Sequence, residues 1–433
     1  MKNSERKKSG NGVLVGILIG VLVLVAGLMA AVLVVSIRNG GGRPAGASGV
    51  VASTTAAAAT AESTLPATEA TTEMPTEAPT EPPLSPEEQV VHDVLDYMTL
   101  EEKLCQLFVV TPESLSGVRG VQEADEAVQA GLAAYPVGGV ILFGANIYSE
   151  SQVTAFLSGM QDAAKTPLLV GVDEEGGIVS RLSGAGITRY YDSMGVYGSE
   201  GAVDRVEEIG GEIASDVRRV GFNVDFAPVA DVVTNPNNTE IGIRSFSSDP
   251  AVAATMVRAM VRGLQNGGCA SCLKHFPGMG STEANSHTGT SVSPRTLDEL
   301  RQTELLPFAA GIDEGAAMVM VTHMSLPNVL GDETPCDLAP EIVTDLLREE
   351  LGFEGVVITD SHEMASITDH YTPGEAALLA LQAGCDIVLM PNDLSEAVAA
   401  LETAIRQGDL TEARVDESVT RILTLKYRLG LLE

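Results

Sequence analysis

Eight short apolar runs, spaced out by longer segments of mixed polarity, constrain this chain more than any other feature. They are Gln106 to Val110, Gly139 to Phe143, Leu168 to Val172, Val224 to Pro228, Cys269 to Leu273, Met318 to Val321, Val356 to Thr359 and Asp386 to Met390. Each is too short for a buried helix and too uniformly apolar for a strand with one wet face, so each reads as a strand covered on both sides. Between and after them lie helical patterns, including Val203 to Val220, Ala251 to Gln265, Thr296 to Asp313, Pro340 to Leu351 and Leu394 to Gln407. Glu412 to Leu429 reads as a last helix packed outside. Strictly alternating strand and helix predicts an α/β fold, a (β/α)8 TIM-type barrel over residues 88–433. A doubly wound open sheet is the alternative.

The stretch before the barrel differs in kind. Val13 to Ile37 carries no charge, and Lys2, Arg6, Lys7 and Lys8 precede it. As a helix it would reach roughly 37 Å, enough to cross a bilayer with some tilt. The basic flank predicts a cytoplasmic tail at 1–12, a transmembrane helix at 13–37 and the remainder of the chain outside. A cleaved signal peptide is the competing reading, although its apolar region is normally about 7 to 15 residues. Residues 38–87 fall to Ala, Thr, Pro, Ser, Gly and Glu, and Pro66, Pro75, Pro79, Pro82 and Pro83 prevent a continuous helix there. This reads as a solvated linker.

A formal charge of −33 argues against nucleic acid or an anionic membrane face as the partner. Five cysteines across so large a domain form no disulfide framework, and Cys269-x-x-Cys272 has no second pair with which to hold zinc. Gly176-Gly177 and Gly278-Met279-Gly280 match neither a dinucleotide nor a P-loop pattern. No metal or organic cofactor is expected, and the chain is expected to act as a monomer.

In a barrel, polar residues just past the strands gather at one face, where chemistry is done. The third run is followed by Asp173-Glu174-Glu175, with Arg181 eight residues past Asp173. The fourth leads to Asp231 and then Arg244; the fifth delivers Lys274 and His275 onto a Pro/Gly-broken loop. The sixth leads to His323, and the seventh to Asp360-Ser361-His362-Glu363-Met364. Asp360, at the end of Gly355-Val356-Val357-Ile358-Thr359, should emerge at the barrel mouth on a rigid strand. Taken alone it reads equally as a helix cap or a salt-bridge acid.

Lys274-His275-Phe276-Pro277-Gly278-Met279-Gly280, the later Asn285-Ser286-His287, and Val357-Ile358-Thr359-Asp360-Ser361 resemble the bacterial β-N-acetylhexosaminidase branch of glycoside hydrolase family three. The resemblance runs from about Glu88 to the C-terminus. It implies a retaining exo-acting glycosidase that removes terminal β-linked N-acetylglucosamine, with Asp360 as nucleophile and His287 as general acid/base. It also implies sugar binding by Asp173, Arg181, Arg244, Lys274 and His275, and His323 fits the same rim. The family pattern has aspartate where this chain has Asn285. An amide can orient His287 but cannot stabilise its imidazolium by charge. That leaves His287 with a less elevated pKa, Glu283 supplying the missing charge, or largely lost activity. A β-glucosidase, a phosphorylase and a non-catalytic carbohydrate-binding protein remain the alternatives.

Overall fold

The computed structural model describes residues 84–283, 289 and 291–433. The expected transmembrane helix at 13–37 and almost all of the linker lie outside them. No helix among the described residues is long and apolar enough to cross a membrane.

All eight apolar runs contain strands: β1 (Phe108–Val110), β2 (Gly139–Ile141), β3 (Leu169–Val172), β4 (Val224–Asp225), β5 (Ala270–Phe276), β6 (Met318–Val321), β7 (Val356–Ser361) and β8 (Ile387–Leu389). Each pairs in parallel with its neighbours in sequence, and β1 pairs with β8. The sheet therefore closes into a barrel, which excludes the open sheet. Closure leaves no edge strand in need of cover.

Helices α1 (Glu126–Ala134), α2 (Glu150–Ala163), α3 (Val203–Val220), α4 (Pro250–Asn266), α5 (Leu305–Asp313), the π-helix Glu341–Glu350, α6 (Pro373–Ala383) and α7 (Leu394–Gln407) follow the eight strands in turn. Their formation follows local chemistry. In α3, Val206, Ile209, Ile213, Val217 and Val220 recur at helical spacing and are all buried, and Gly221 ends the helix in the left-handed region. Asp249 caps α4 by accepting from Ala251 and Val252, with Pro250 at the first turn.

The expected continuous helix from Thr296 to Asp313 is two, Leu297–Gln302 and α5. The break falls at Thr303, whose φ of −134° and ψ of −80° leave the helical region, next to Glu304, whose buried carboxylate accepts from Arg295 Nε at 3.1 Å and Thr234 Oγ1 at 3.1 Å. All five cysteines are buried thiols.

A buried acid ties the bottom of the barrel to the last helix, α8 (Glu412–Arg428). Asp386, fully buried just before β8, accepts from Arg348 Nη2 at 2.5 Å and Val357 N at 2.9 Å on one oxygen. On the other it accepts from Ser418 Oγ at 2.7 Å and Arg421 Nη1 at 3.1 Å. Removing one member of such a network strands the others as buried unpaired charges. Asp386→Ala is therefore expected to cost about 3–5 kcal/mol, read as a lower midpoint in thermal denaturation, while the exposed Asp369→Ala stays within about 0.5 kcal/mol. Equal midpoints for the two variants would show the network to be dispensable.

Candidate active site

A cavity of about 570 Å³ opens at the C-terminal ends of the strands. Its floor is apolar, from Ile141, Phe226, Met320 and Leu389, and its wall carries Asp173, Glu175, Arg181, Arg244, Lys274, His275 and Asp360. A second cavity of about 520 Å³ lies toward the strand starts, between Cys269, Ala317, Val356 and α8. Its arginines are already engaged, Arg421 by Asp386 and Arg428 by Glu87. The chemistry belongs to the first.

Lys274 sits at the centre of that wall. Its Nζ lies 2.7 Å from Asp173 Oδ1 and 2.7 Å from Glu175 Oε1, and the side chain is only 3% exposed. Arg181 reaches Asp173 Oδ2 at 3.0 Å, and Arg244 grips Glu175 through two bonds of 2.9 and 2.8 Å. Burial pushes both carboxyls up, but the adjacent cations outweigh it and hold each below the usual carboxylate range. Burial would lower the Lys274 pKa, and the two carboxylates drive it above the ordinary lysine value instead. Asp173, Glu175 and Lys274 thus stay charged at neutral pH. Arg181 also keeps a buried Nε with no partner among the described residues.

Local irregularities place the reactive side chains. The β5–β6 register shifts between Leu273 and Phe276, where Lys274 and His275 stand. The β7–β8 register shifts between the pairs Ile387–Ile358 and Leu389–Ser361, bracketing Asp360. Such bulges re-aim side chains at barrel rims. His275 is fixed by Asp231, with 2.7 Å between Nδ1 and Oδ2, and Asp231 also accepts from the backbone N–H groups of His275 and Met279. The loop then bends at Gly278, with φ +121°, and passes so close to strand β4's continuation that a Cβ on Gly280 would meet Val232 O at 1.8 Å. Only glycine fits there.

Asp360 is held at the cavity wall by its own loop, its Oδ1 accepting from Ser361 N at 2.7 Å. Thr359 Oγ1 donates to the Asp360 carbonyl at 2.7 Å and accepts from Leu389 N at 3.0 Å, which fixes the strand end.

Six of the expected site residues thus meet in one cavity: Asp173, Arg181, Arg244, Lys274, His275 and Asp360. His287 and Asn285 lie outside the described residues. On either side of them, Ser281 and Ser293 pair through their hydroxyls at 2.7 Å.

His323 is a correction. It is fully buried and absent from the cavity wall, because its ring turns back behind Asp360. There Nε2 donates to the Ser361 carbonyl at 2.9 Å, and the ring neighbours Asp337 and His362. Burial lowers its pKa, Asp337 outweighs burial, and the balance lies at about 9.

Glu175 was not among the expected site residues, although it stands two positions past Asp173 in the same acidic run. The signal that finds it is parity: in an extended backbone, residues two apart share a face. Glu363 is another wall carboxylate, raised in pKa by burial and then by the charge of Glu113.

Comparison with known proteins agrees with this geometry. The family model described as the glycosyl hydrolase family 3 N terminal domain matches residues 99–425. Beta-hexosaminidase A of Pseudoalteromonas piscicida is 34% identical over 323 residues, which cover 68% of this chain and only 54% of that protein. Beta-hexosaminidase LpqI of Mycobacterium tuberculosis is 36% identical over 337 residues, covering 75% of this chain and 82% of that one. The solved glycoside hydrolase family 3 beta-N-acetylglucosaminidase of Paenibacillus sp. superposes with a TM-score of 0.73 at 35% identity, covering 77% of this chain and 63% of that one. With the family model running from just before the first barrel strand into the last helix, and relatives aligned across most of the same span, this chain belongs to glycoside hydrolase family 3.

Proposed function

We propose that the barrel is a retaining exo-β-N-acetylglucosaminidase acting on terminal β-linked N-acetylglucosamine of cell-wall fragments or related glycans. The observation that carries this reading is the strand-borne Asp360 beside a cation-clamped pair of carboxylates in one cavity. Asp173 and Glu175, kept ionised, accept hydroxyl protons of the sugar, while Lys274, Arg181 and Arg244 donate to its oxygens. Several spaced donors and acceptors of this kind fix one ring in one orientation.

The reaction then runs in two displacements. Asp360 attacks the anomeric carbon as the bond to the leaving oxygen breaks, and the transition state carries positive charge that the carboxylate stabilises. His287, as imidazolium, gives its proton to that oxygen. In the second step neutral His287 takes a proton from water, which attacks the anomeric carbon and frees Asp360. Asp173 and Glu175 cannot supply the first proton, since their cations hold them ionised at neutral pH. The proposal extends to placement: residues 13–37 anchor the chain in the cell membrane and the linker carries the barrel outside it.

Hydrolysis of an aryl β-N-acetylglucosaminide tests this. Asp360→Asn is expected to abolish turnover while still binding N-acetylglucosamine. His287→Ala is expected to lose about 10²- to 10⁴-fold on a substrate with a poor leaving group. A Glu363→Gln variant as damaged as His287→Ala would move the acid role to Glu363. Added inorganic phosphate that yields a sugar phosphate in place of free sugar would favour a phosphorylase. An inert wild-type protein that still binds the sugar would leave only the binding function.

The pH profile gives a second prediction. His287 must be protonated for the first step, so kcat/KM falls as pH rises through its pKa. A carboxylate at position 285 stabilises the imidazolium and raises that pKa. Asn285→Asp is therefore expected to move the alkaline limb to higher pH. A limb that stays in place in Asn285→Asp would dissociate position 285 from His287.

A further inference from the structure

Behind the nucleophile, outside the cavity, three residues from different parts of the chain meet in the dry interior. His323 follows β6, Asp337 lies in the short 3-10 turn Cys336–Leu338, and His362 follows β7. Asp337 and His323 are fully buried and His362 is 2% exposed. One potential ligand atom from each lies within 4.8 Å of those from the other two.

The hydrogen bonds around them leave a specific remainder. His323 Nε2 faces the Ser361 carbonyl at 2.9 Å; a carbonyl only accepts, so Nε2 carries the hydrogen. His362 Nε2 faces Asp337 Oδ2 at 3.0 Å and donates likewise. What remains is His323 Nδ1, His362 Nδ1 and Asp337 Oδ1, all three buried and none with a hydrogen-bond partner among the described residues. His323 Nδ1 and Asp337 Oδ1 stand only 3.0 Å apart, an ion pair when the imidazole is protonated. A buried carboxylate oxygen there calls for positive charge beside it, from a proton on His323 Nδ1 or from a metal ion in its place.

This is the arrangement of a metal ligand set. His323 has its far nitrogen committed to the Ser361 carbonyl, which fixes the ring, and offers Nδ1; His362 already points Nε2 at Asp337 and ligates through it once its proton passes to Nδ1. Two imidazoles and one carboxylate suit a first-row divalent ion, zinc above all. We propose that His323, Asp337 and His362 bind one zinc ion, a structural site that pins the ends of β6 and β7 together behind Asp360. The ion takes the place between His323 Nδ1 and Asp337 Oδ1, drawing in His362 as the third ligand. Ser366 Oγ, also buried and unpartnered, lines a cavity of about 230 Å³ with Pro335, His370 and Tyr371, two positions along the chain from Asp337. The Cys269-x-x-Cys272 pair, set aside as a zinc motif on its spacing, plays no part.

The test uses the full-length protein, stripped with a chelator and titrated with zinc sulfate, with bound metal measured by elemental analysis. One zinc per chain is expected, together with a higher melting midpoint in the loaded protein. Asp337→Asn and His362→Leu are each expected to weaken binding by at least about 10-fold, while His287→Ala leaves it unchanged. No zinc retained by the wild-type protein, or undiminished binding in both variants, overturns the proposal. In the first case a proton holds the gap, as an imidazolium on His323. Should both variants fail to fold, X-ray absorption of the zinc-loaded wild-type protein decides. Two imidazoles and no sulfur in the first shell support the site, and fewer imidazoles or any sulfur overturn it. Metal content is read without substrate, so failure here leaves the glycosidase reading untouched.

Discussion

The Lys274 ammonium, enclosed between Asp173 and Glu175, is the contact on which the rest of this site depends. An ammonium buried alone would lose its proton, and two carboxylates buried side by side would repel. Together, with Arg181 and Arg244 outside them, the three groups satisfy one another at distances of 2.7 to 3.0 Å. Such networks carry a desolvation cost and seldom exist for stability alone. Here the return is a fixed set of charges. Lys274, Arg181 and Arg244 against Asp173 and Glu175 leave one formal positive charge, and Asp360 in the same cavity brings one negative. The clamp thus holds its charges in fixed places, which suits a site that must grip a neutral sugar through polar contacts.

The two strands that carry chemistry are also the two whose pairing slips. Lys274 and His275 stand where β5 loses register with β6, and Asp360 stands where β7 loses register with β8. A regular strand alternates its side chains between the barrel interior and the helical layer, so consecutive residues cannot both face the mouth. The shift lets Lys274 and His275 line the cavity together. The remaining strands are short and keep their register in all other barrel pairs.

That alternation also explains which residues were legible in the sequence. Eight apolar runs reveal strands because burial on both faces removes polar residues altogether. Charged residues directly after a run reveal the site because they have nowhere else to be stable. His323 obeys the same surface rule and breaks it in space. Its burial depends on Asp337, fourteen positions later in a segment with no periodicity, and on His362, whose ring shares that carboxylate. Contacts of that kind are set by tertiary packing and leave no local signature. Glu304 is similar: a glutamate inside a helical pattern reads as solvent-facing, and only the approach of Arg295 and Thr234 makes it a buried acid. The zinc reading was hidden for the same reason, since its three ligands come from three separate segments.

The division between strand and loop has a chemical logic. In the proposed reaction Asp360 is the nucleophile; a nucleophile must lie in line with the bond it breaks, an error of about 1 Å can cost about 10²-fold, and a strand end braced by its neighbours suits that task. A proton donor has a different task, because it delivers a proton to a departing oxygen and later takes one from an incoming water. The described wall supplies the first kind of group in abundance. Its clamped carboxylates cannot perform the second, because the same cations that make them good hydroxyl acceptors make them poor acids. In the proposed reaction the acid therefore sits away from Lys274, at His287. A histidine there needs no partner acid at the fixed spacing that two carboxylates require. Its own pKa already lies near neutrality.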